Sequence, residues 1–258
     1  MLRKVLIILT FMGLSANLLA QGGDTTKIEY RGYEFVSVYS SVEGFGVTVL
    51  DIYKDGRSIF KLDEDLLIES VSFEDLKGNG DSSALILSYT GGAHCCFILY
   101  VGDVDNGNFI ISDTIFLGDS MFDPRDINGD GKTELVANYV GFAYEFTSFA
   151  GSPFPILIYG YKNGKVQMVN EDFRSEVIKD IDEFEKLVKE YPDYQCPEAA
   201  DEYWGSEAGE VQGYLAGIVF DYASINEADK GYEMVDKYYK CSNKEDFKAK
   251  LRNTYNLK

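Results

Sequence analysis

The chain has 258 residues, 45% of them apolar and 14% aromatic, with 24 lysines and arginines against 43 aspartates and glutamates and a formal net charge of −19. That is enough apolar material for one large or two smaller cores. The acidic balance argues against nucleic acid or anionic lipid as a partner, because no excess positive charge is there to neutralise phosphates, and it favours cations.

The N-terminus reads as a secretory signal. Arg3 and Lys4 precede the apolar run Val5–Leu14, and Ala16 to Ala20 supplies the small residues of a cleavage region, placing the cut after Ala20. Residues 1–20 carry two basic and no acidic side chains, so the mature chain has 22 basic against 43 acidic residues, a net charge of −21. The apolar run is too short for a stable anchor and no later segment is long enough, so no membrane span is expected. No cysteine follows the cut closely, so no lipid anchor is expected either. The product is read as exported, periplasmic or extracellular. Its four cysteines, Cys95, Cys96, Cys196 and Cys241, then meet oxidising conditions. Three pairings exist. The reading favours Cys196–Cys241, leaving Cys95 and Cys96 to each other or free.

Gln21–Lys27 reads as a polar lead-in. Residues 33–170 then alternate short strands with tight turns: Tyr33–Tyr39, Val47–Lys54, a hairpin turn at Lys54-Asp55-Gly56-Arg57, Ser58–Leu62 and Leu66–Phe73. Two more hairpin turns fall at Asp105-Asn106-Gly107-Asn108 and Lys162-Asn163-Gly164-Lys165. Evenly spaced short strands of this kind predict a meander, sandwich or propeller. Gly91-Gly92-Ala93-His94-Cys95-Cys96 holds the only histidine beside two thiols. A soft-metal site or a Cys–His nucleophile is disfavoured there, because neighbours on a strand point to opposite faces and no second histidine completes a zinc set.

The segment Asp126–Glu134 reads D-I-N-G-D-G-K-T-E. Oxygen-bearing side chains stand at positions one, three, five and nine: Asp126, Asn128, Asp130 and Glu134. Gly131 at position six permits the left-handed turn that folds the loop back, and Lys132 at position seven offers its backbone carbonyl. Hard oxygen donors on a short loop suit Ca²⁺. An EF-hand would need a bidentate Glu at position twelve, where Ala137 stands, and the run Leu135–Val140 is rich in strand formers. The loop therefore joins two strands. Such a D-x-N-x-D-G-x-x-E-L loop entering a strand resembles the FG-GAP and VCBS-type repeats, which form propeller blades in secreted and cell-surface proteins. The resemblance extends over about residues 66–170 and implies a protein or carbohydrate partner.

An internal repeat supports that assignment. Asp75–Ala84 aligns with Asp126–Leu135 at an offset of 51 residues, the length of a four-stranded blade. The upstream copy has Lys77 at position three and Ser83 at position nine, so a metal-poor structural turn is expected there. Residues 33–62 read as a third, incomplete copy. Three blades do not close a propeller, which usually takes at least four. The expected form is an open, propeller-like stack or a sandwich.

Phe142, Tyr144, Phe146, Phe149 and Phe154 crowd one loop, read as a lid between strands and helices in preference to a sugar platform. From about Ser175 the period changes. Val177, Ile181, Phe184, Val188 and Tyr191 form a helical stripe ended by Pro192, and Val211, Leu215, Ile218, Tyr222 and Ile225 form a second. Tyr232, Val235 and Tyr239 indicate a third helix, and Ser242-Asn243-Lys244-Glu245 reads as a capping box opening a fourth.

The fold class expected is thus α+β: a β-repeat domain over residues 28–170 and a helical bundle over 175–258. The function expected is that of an exported calcium-binding, non-enzymatic interaction module. The alternative is a secreted hydrolase using carboxylates at the domain junction; no catalytic residue is assigned, since acidic pairs such as Asp63/Asp65 or Asp180/Asp182 are supplied freely by solvated faces.

Overall fold

The computed structural model describes residues 25–42, 45–63, 67–92, 96–105 and 107–257. The signal segment, His94, Cys95 and Asp65 lie outside the described residues.

Among the described residues, three four-stranded antiparallel sheets follow one another along the chain, and four α-helices complete it. The first sheet is a meander of β1 (Thr25–Tyr30), β2 (Tyr33–Val42), β3 (Phe45–Lys54) and β4 (Arg57–Leu62). The second comprises β5 (Leu67–Glu74), β6 (Ser83–Tyr89), β7 (Phe97–Asp105) and β8 (Asn108–Gly118). The third comprises β9 (Asp123–Arg125), β10 (Glu134–Asn138), β11 (Ile156–Lys162) and β12 (Lys165–Met168). The turns behave as their residues dictate. Asp55 and Gly56 take φ of 50° and 74°, and Lys54 pairs with Arg57 across them, a two-residue turn whose twist matches the strands.

The β6 and β7 strands explain the stacking. Alternate side chains point to opposite faces. Ala84, Ile86 and Tyr100 join Phe35, Leu50 and Ile52 of the first sheet in one core. Leu85, Leu87, Leu99 and Val101 join Leu135 and Ala137 of the third sheet in another. The middle sheet is apolar on both faces because it is covered on both. No closed barrel or propeller is formed among the described residues.

Two expectations need correction. The segment read as a polar lead-in enters β1 at Thr25, so the first sheet is a complete four-stranded unit rather than a partial one. Its sequence, TTKIEY, hides this because an edge strand with one covered face needs few apolar residues. The fourth helix also lacks its capping box. Its N-cap is Asn243, which makes no capping bond because its Oδ1 accepts the Tyr239 hydroxyl at 2.9 Å.

The helices are α1 (Arg174–Lys189), α2 (Glu207–Ser224), α3 (Ala228–Tyr238) and α4 (Lys244–Thr254). Most of each stripe read from the sequence is buried, Val177, Ile181, Phe184 and Val188 on α1 and Val211, Leu215 and Ile218 on α2, whereas Tyr191, past the end of α1, and Tyr222 are half-buried. Phe142 and Phe146, from the loop between β10 and β11, sit inside this helical core. That loop does act as a lid. Gly209 admits it, since a side chain at that position would strike the carbonyls of Tyr203 and Phe146. Cys196 and Cys241 form the expected disulfide, with Cα atoms 5.4 Å apart. Cys96 is also disulfide-bonded.

The junction of sheet and helices is polar where it must be. The β12 strand pairs with β11 only from Tyr159 onward, which leaves Ile156 and Ile158 without strand partners on that side. The Asn170 side chain replaces the missing strand, accepting from the Ile158 N–H at 2.8 Å and donating to the Ile156 carbonyl at 2.9 Å. The Asp180 carboxylate accepts from the Ile156 N–H at 2.9 Å. Buried backbone groups are rarely left unpaired, and here α1 and the turn before it complete the set.

Candidate metal centre

The loop from Asp126 to Thr133 joins β9 to β10, so the acidic segment bridges two antiparallel strands. Its side chains turn into the loop. Asp126 accepts from the N–H groups of Gly129 at 2.7 Å, Asp130 at 3.1 Å and Gly131 at 3.0 Å. Asn128 Oδ1 accepts from Asp130 N–H at 2.9 Å, and Asp130 Oδ1 from Lys132 N–H at 2.9 Å. Glu134 reaches back from β10 to accept the Ile127 N–H at 3.1 Å. Gly129 and Gly131, at φ of 77° and 86°, supply the left-handed residues this winding requires.

The upstream copy repeats that skeleton 51 residues earlier. Asp75 accepts from Asn79 N–H at 3.2 Å and Gly80 N–H at 2.7 Å, and Asn79 Oδ1 accepts from Asp81 N–H at 2.9 Å. Gly78 and Gly80 stand where Gly129 and Gly131 do, also at positive φ. The two loops touch: Thr133 N–H donates to the Asp75 carbonyl at 2.9 Å.

Their electrostatics differ. In the upstream copy the chain brings its own cations. Arg31 pairs with Asp81 at 2.9 Å and donates to the Gly80 carbonyl at 2.6 Å, and Lys77 turns away to pair with Asp103 at 2.8 Å. Ser83, at the ninth position, donates to the same Asp103 at 2.7 Å. In the downstream copy Lys132 approaches Asp130 only to 3.9 Å, and the ninth position is a carboxylate, Glu134, just 4% exposed. Burial pushes the Glu134 carboxyl up, with the charges of Asp130 and Asp126 adding to the shift against the pull of the Ile127 N–H. The Lys132 N–H holds Asp130 below the usual carboxylate range. Four of the five predicted residues thus lie on the loop and Glu134 opens β10, but among the described residues no group of three or more His, Cys, Asp or Glu side chains is placed so that it could hold a metal ion. The donor chemistry is that of a hard cation, all oxygen and no sulfur or imidazole.

A second carboxylate pair was not legible as such. Asp182 is exposed on α1. Its neighbour Asp180 lies near Asp221 of α2, which is fully buried and has no hydrogen-bond partner for either side-chain oxygen. Burial, with the nearby Asp180 charge adding to it, pushes the Asp221 carboxyl well above its ordinary 3.8. The signal lay in the second stripe, where Asp221 falls three residues after Ile218 on an otherwise apolar face. Because the folded form keeps this proton longer than the unfolded chain does, stability is greatest below the ordinary carboxylate value and falls as pH rises through the raised one. Asp221→Asn, which cannot ionise, is expected to match the native protein near pH 4. At pH 7 it is expected to exceed the native protein by about 1–3 kcal/mol, the cost of a buried unsatisfied group. Urea unfolding at both pH values measures this; equal stabilities at pH 7 would contradict it.

No family model and no solved structure matches the chain. It is similar to a probable thylakoid lumen protein of Synechocystis sp., at 28% identity over 165 residues. The match takes in 63% of this chain and 45% of that protein, so this chain spans less than half of its relative's length. Among the described residues no helix is long and apolar enough to cross a membrane.

Proposed function

We propose that this is an exported protein whose Asp126–Glu134 loop binds Ca²⁺, and that it serves as a non-enzymatic binding module for a protein or carbohydrate partner. One observation carries the metal reading. The same hydrogen-bonded loop is built twice, and the copy whose own cation, Lys132, comes no nearer than 3.9 Å to Asp130 is the one that gains a buried carboxylate. Asp126, Asn128, Asp130 and Glu134 would supply side-chain oxygens and Lys132 its carbonyl, and a bound Ca²⁺ would neutralise charges that now repel one another. The resemblance of the loop to FG-GAP and VCBS-type repeats belongs to the same reading. Export is supported by the signal-like N-terminus and by the lumenal relative.

Calorimetric titration with Ca²⁺ tests the metal. Heat is expected from the native protein and none from Asp130→Ala; equal heats would exclude this loop as the site. The rival reading, a hydrolase working at the junction, draws on the Asp180–Asp221 pair. Asp221 is 0% exposed, which keeps it from solvent-borne substrate in this conformation. Turnover of any chromogenic ester or glycoside, lost in Asp180→Asn, would reverse the choice.

A further inference from the structure

Tyr144 is 47% exposed and sits at φ 61°, a conformation that bulky side chains seldom take. Its carbonyl accepts the indole N–H of Trp204 at 3.0 Å. Trp204 is the only tryptophan of the chain, and it is 56% exposed. A large flat ring is thus fixed at the surface by a hydrogen bond to a strained backbone, in a protein that buries most of its other aromatic side chains at least in part. Strain of this kind persists only where the surroundings over-determine it, and it gathers at ligand sites.

Trp204 lines a cavity of about 230 Å³ between the lid loop and α4, with Glu145, Asn243, Asp246 and Lys250 around it. The charges there select the ligand. Lys250 is paired with Glu145, and its ammonium lies 5.4 Å from the centre of the Phe146 ring. An incoming anion would meet two carboxylates in a chain of net charge −19, and an incoming cation would have to displace Lys250. A neutral molecule rich in hydroxyls meets neither obstacle. The carboxylates accept from it and the ammonium donates to it. The Asn243 amide, its oxygen already taken by Tyr239, offers N–H donors. The indole supplies an apolar face for the C–H side of a ring.

We propose that this cavity is a saccharide site, taking a single neutral sugar ring. Its volume lies below the roughly 300 Å³ at which pockets for drug-sized ligands begin, which leaves room for one ring and not for a chain. The proposal rests on the binding-module reading and adds the class of ligand and its place.

The full chain is titrated with glucose, galactose, mannose and N-acetylglucosamine, following both the heat and the emission of its single tryptophan. A saturable emission shift with at least one sugar at millimolar concentration is expected. Asp246→Asn, at an exposed position, is expected to weaken that sugar about tenfold or more, the effect of losing one charge-assisted hydrogen bond, with an unchanged melting temperature. Heat of binding with silent Trp204 emission and an unaffected Asp246→Asn variant would overturn this site and leave the binding-module reading standing. Neither heat nor emission change with any of the four sugars would overturn both the site and its ligand class, while the calcium titration tests the metal separately.

Discussion

Replacing Phe142 by alanine is expected to lower the stability of the folded protein by about 3–5 kcal/mol, the cost of removing a fully buried phenylalanine and leaving its cavity. The ring is 0% exposed, and its surroundings come from every part of the junction. Tyr139 lies 5.1 Å away at the end of β10, Phe220 6.2 Å away on α2, and Tyr255 4.8 Å away beyond α4, each edge-on. Edge-to-face contacts of this kind add to the area buried. Collapse around the missing ring is restricted because strand, helix and C-terminus would all have to move inward. At roughly 2–4 °C per kcal/mol for a chain of this size, the melting temperature is expected to fall by about 6–20 °C. Thermal and urea unfolding measure it. A loss under about 1 kcal/mol would show that the lid does not hold the helices to the sheets.

The second large effect concerns the disulfide. Cys196 and Cys241 are 45 residues apart in sequence, and a closed loop of that length lowers the entropy of the unfolded chain by an amount equivalent to about 4 kcal/mol in the chain-entropy model. The bridge also tethers the long connection between α1 and α2. Tyr194 on that connection is buried, donates to the Tyr238 carbonyl at 3.2 Å and accepts the Lys240 N–H at 2.8 Å, all beside the bridge. Replacing both cysteines by alanine is expected to cost about 2–5 kcal/mol, observed as a lower urea midpoint. The substitution is preferable to a reductant, which would also attack the bond at Cys96. An unchanged midpoint would mean that local packing already holds the connection in place.

Much of this architecture was legible in the sequence because single residues or short periods dictate it. Asp55-Gly56 and Asn163-Gly164 fix two-residue turns by their tolerance of positive φ, and the helical stripes follow from a period near 3.6. The acidic loops announced themselves by spacing alone. What stayed hidden depends on partners distant in sequence. Strand β1 has too little apolar side chain to declare itself, and is defined by pairing with β2. The cap expected at Ser242–Glu245 failed because Tyr239 claims Asn243. The cation that closes the upstream loop was not visible, because Arg31 comes from a turn about fifty residues earlier, and Lys77 inside the repeat pairs with Asp103 instead. The environment of Asp221 depends on Asp180, 41 residues earlier on another helix, and nothing around Trp204 in sequence marks it as exposed.

The most direct test of the account is a calcium titration followed by amide resonances. The N–H groups of Ile127, Gly129, Asp130, Gly131 and Lys132 all donate to the side chains assigned to the ion. Their resonances are expected to move together and saturate, since a cation drawing on those oxygens weakens or redirects each bond. The amides of Asn79, Gly80 and Asp81 are expected to stay where they are. Resonances of the downstream loop that remain fixed at saturating Ca²⁺, or that move only in the upstream loop, would contradict the assignment.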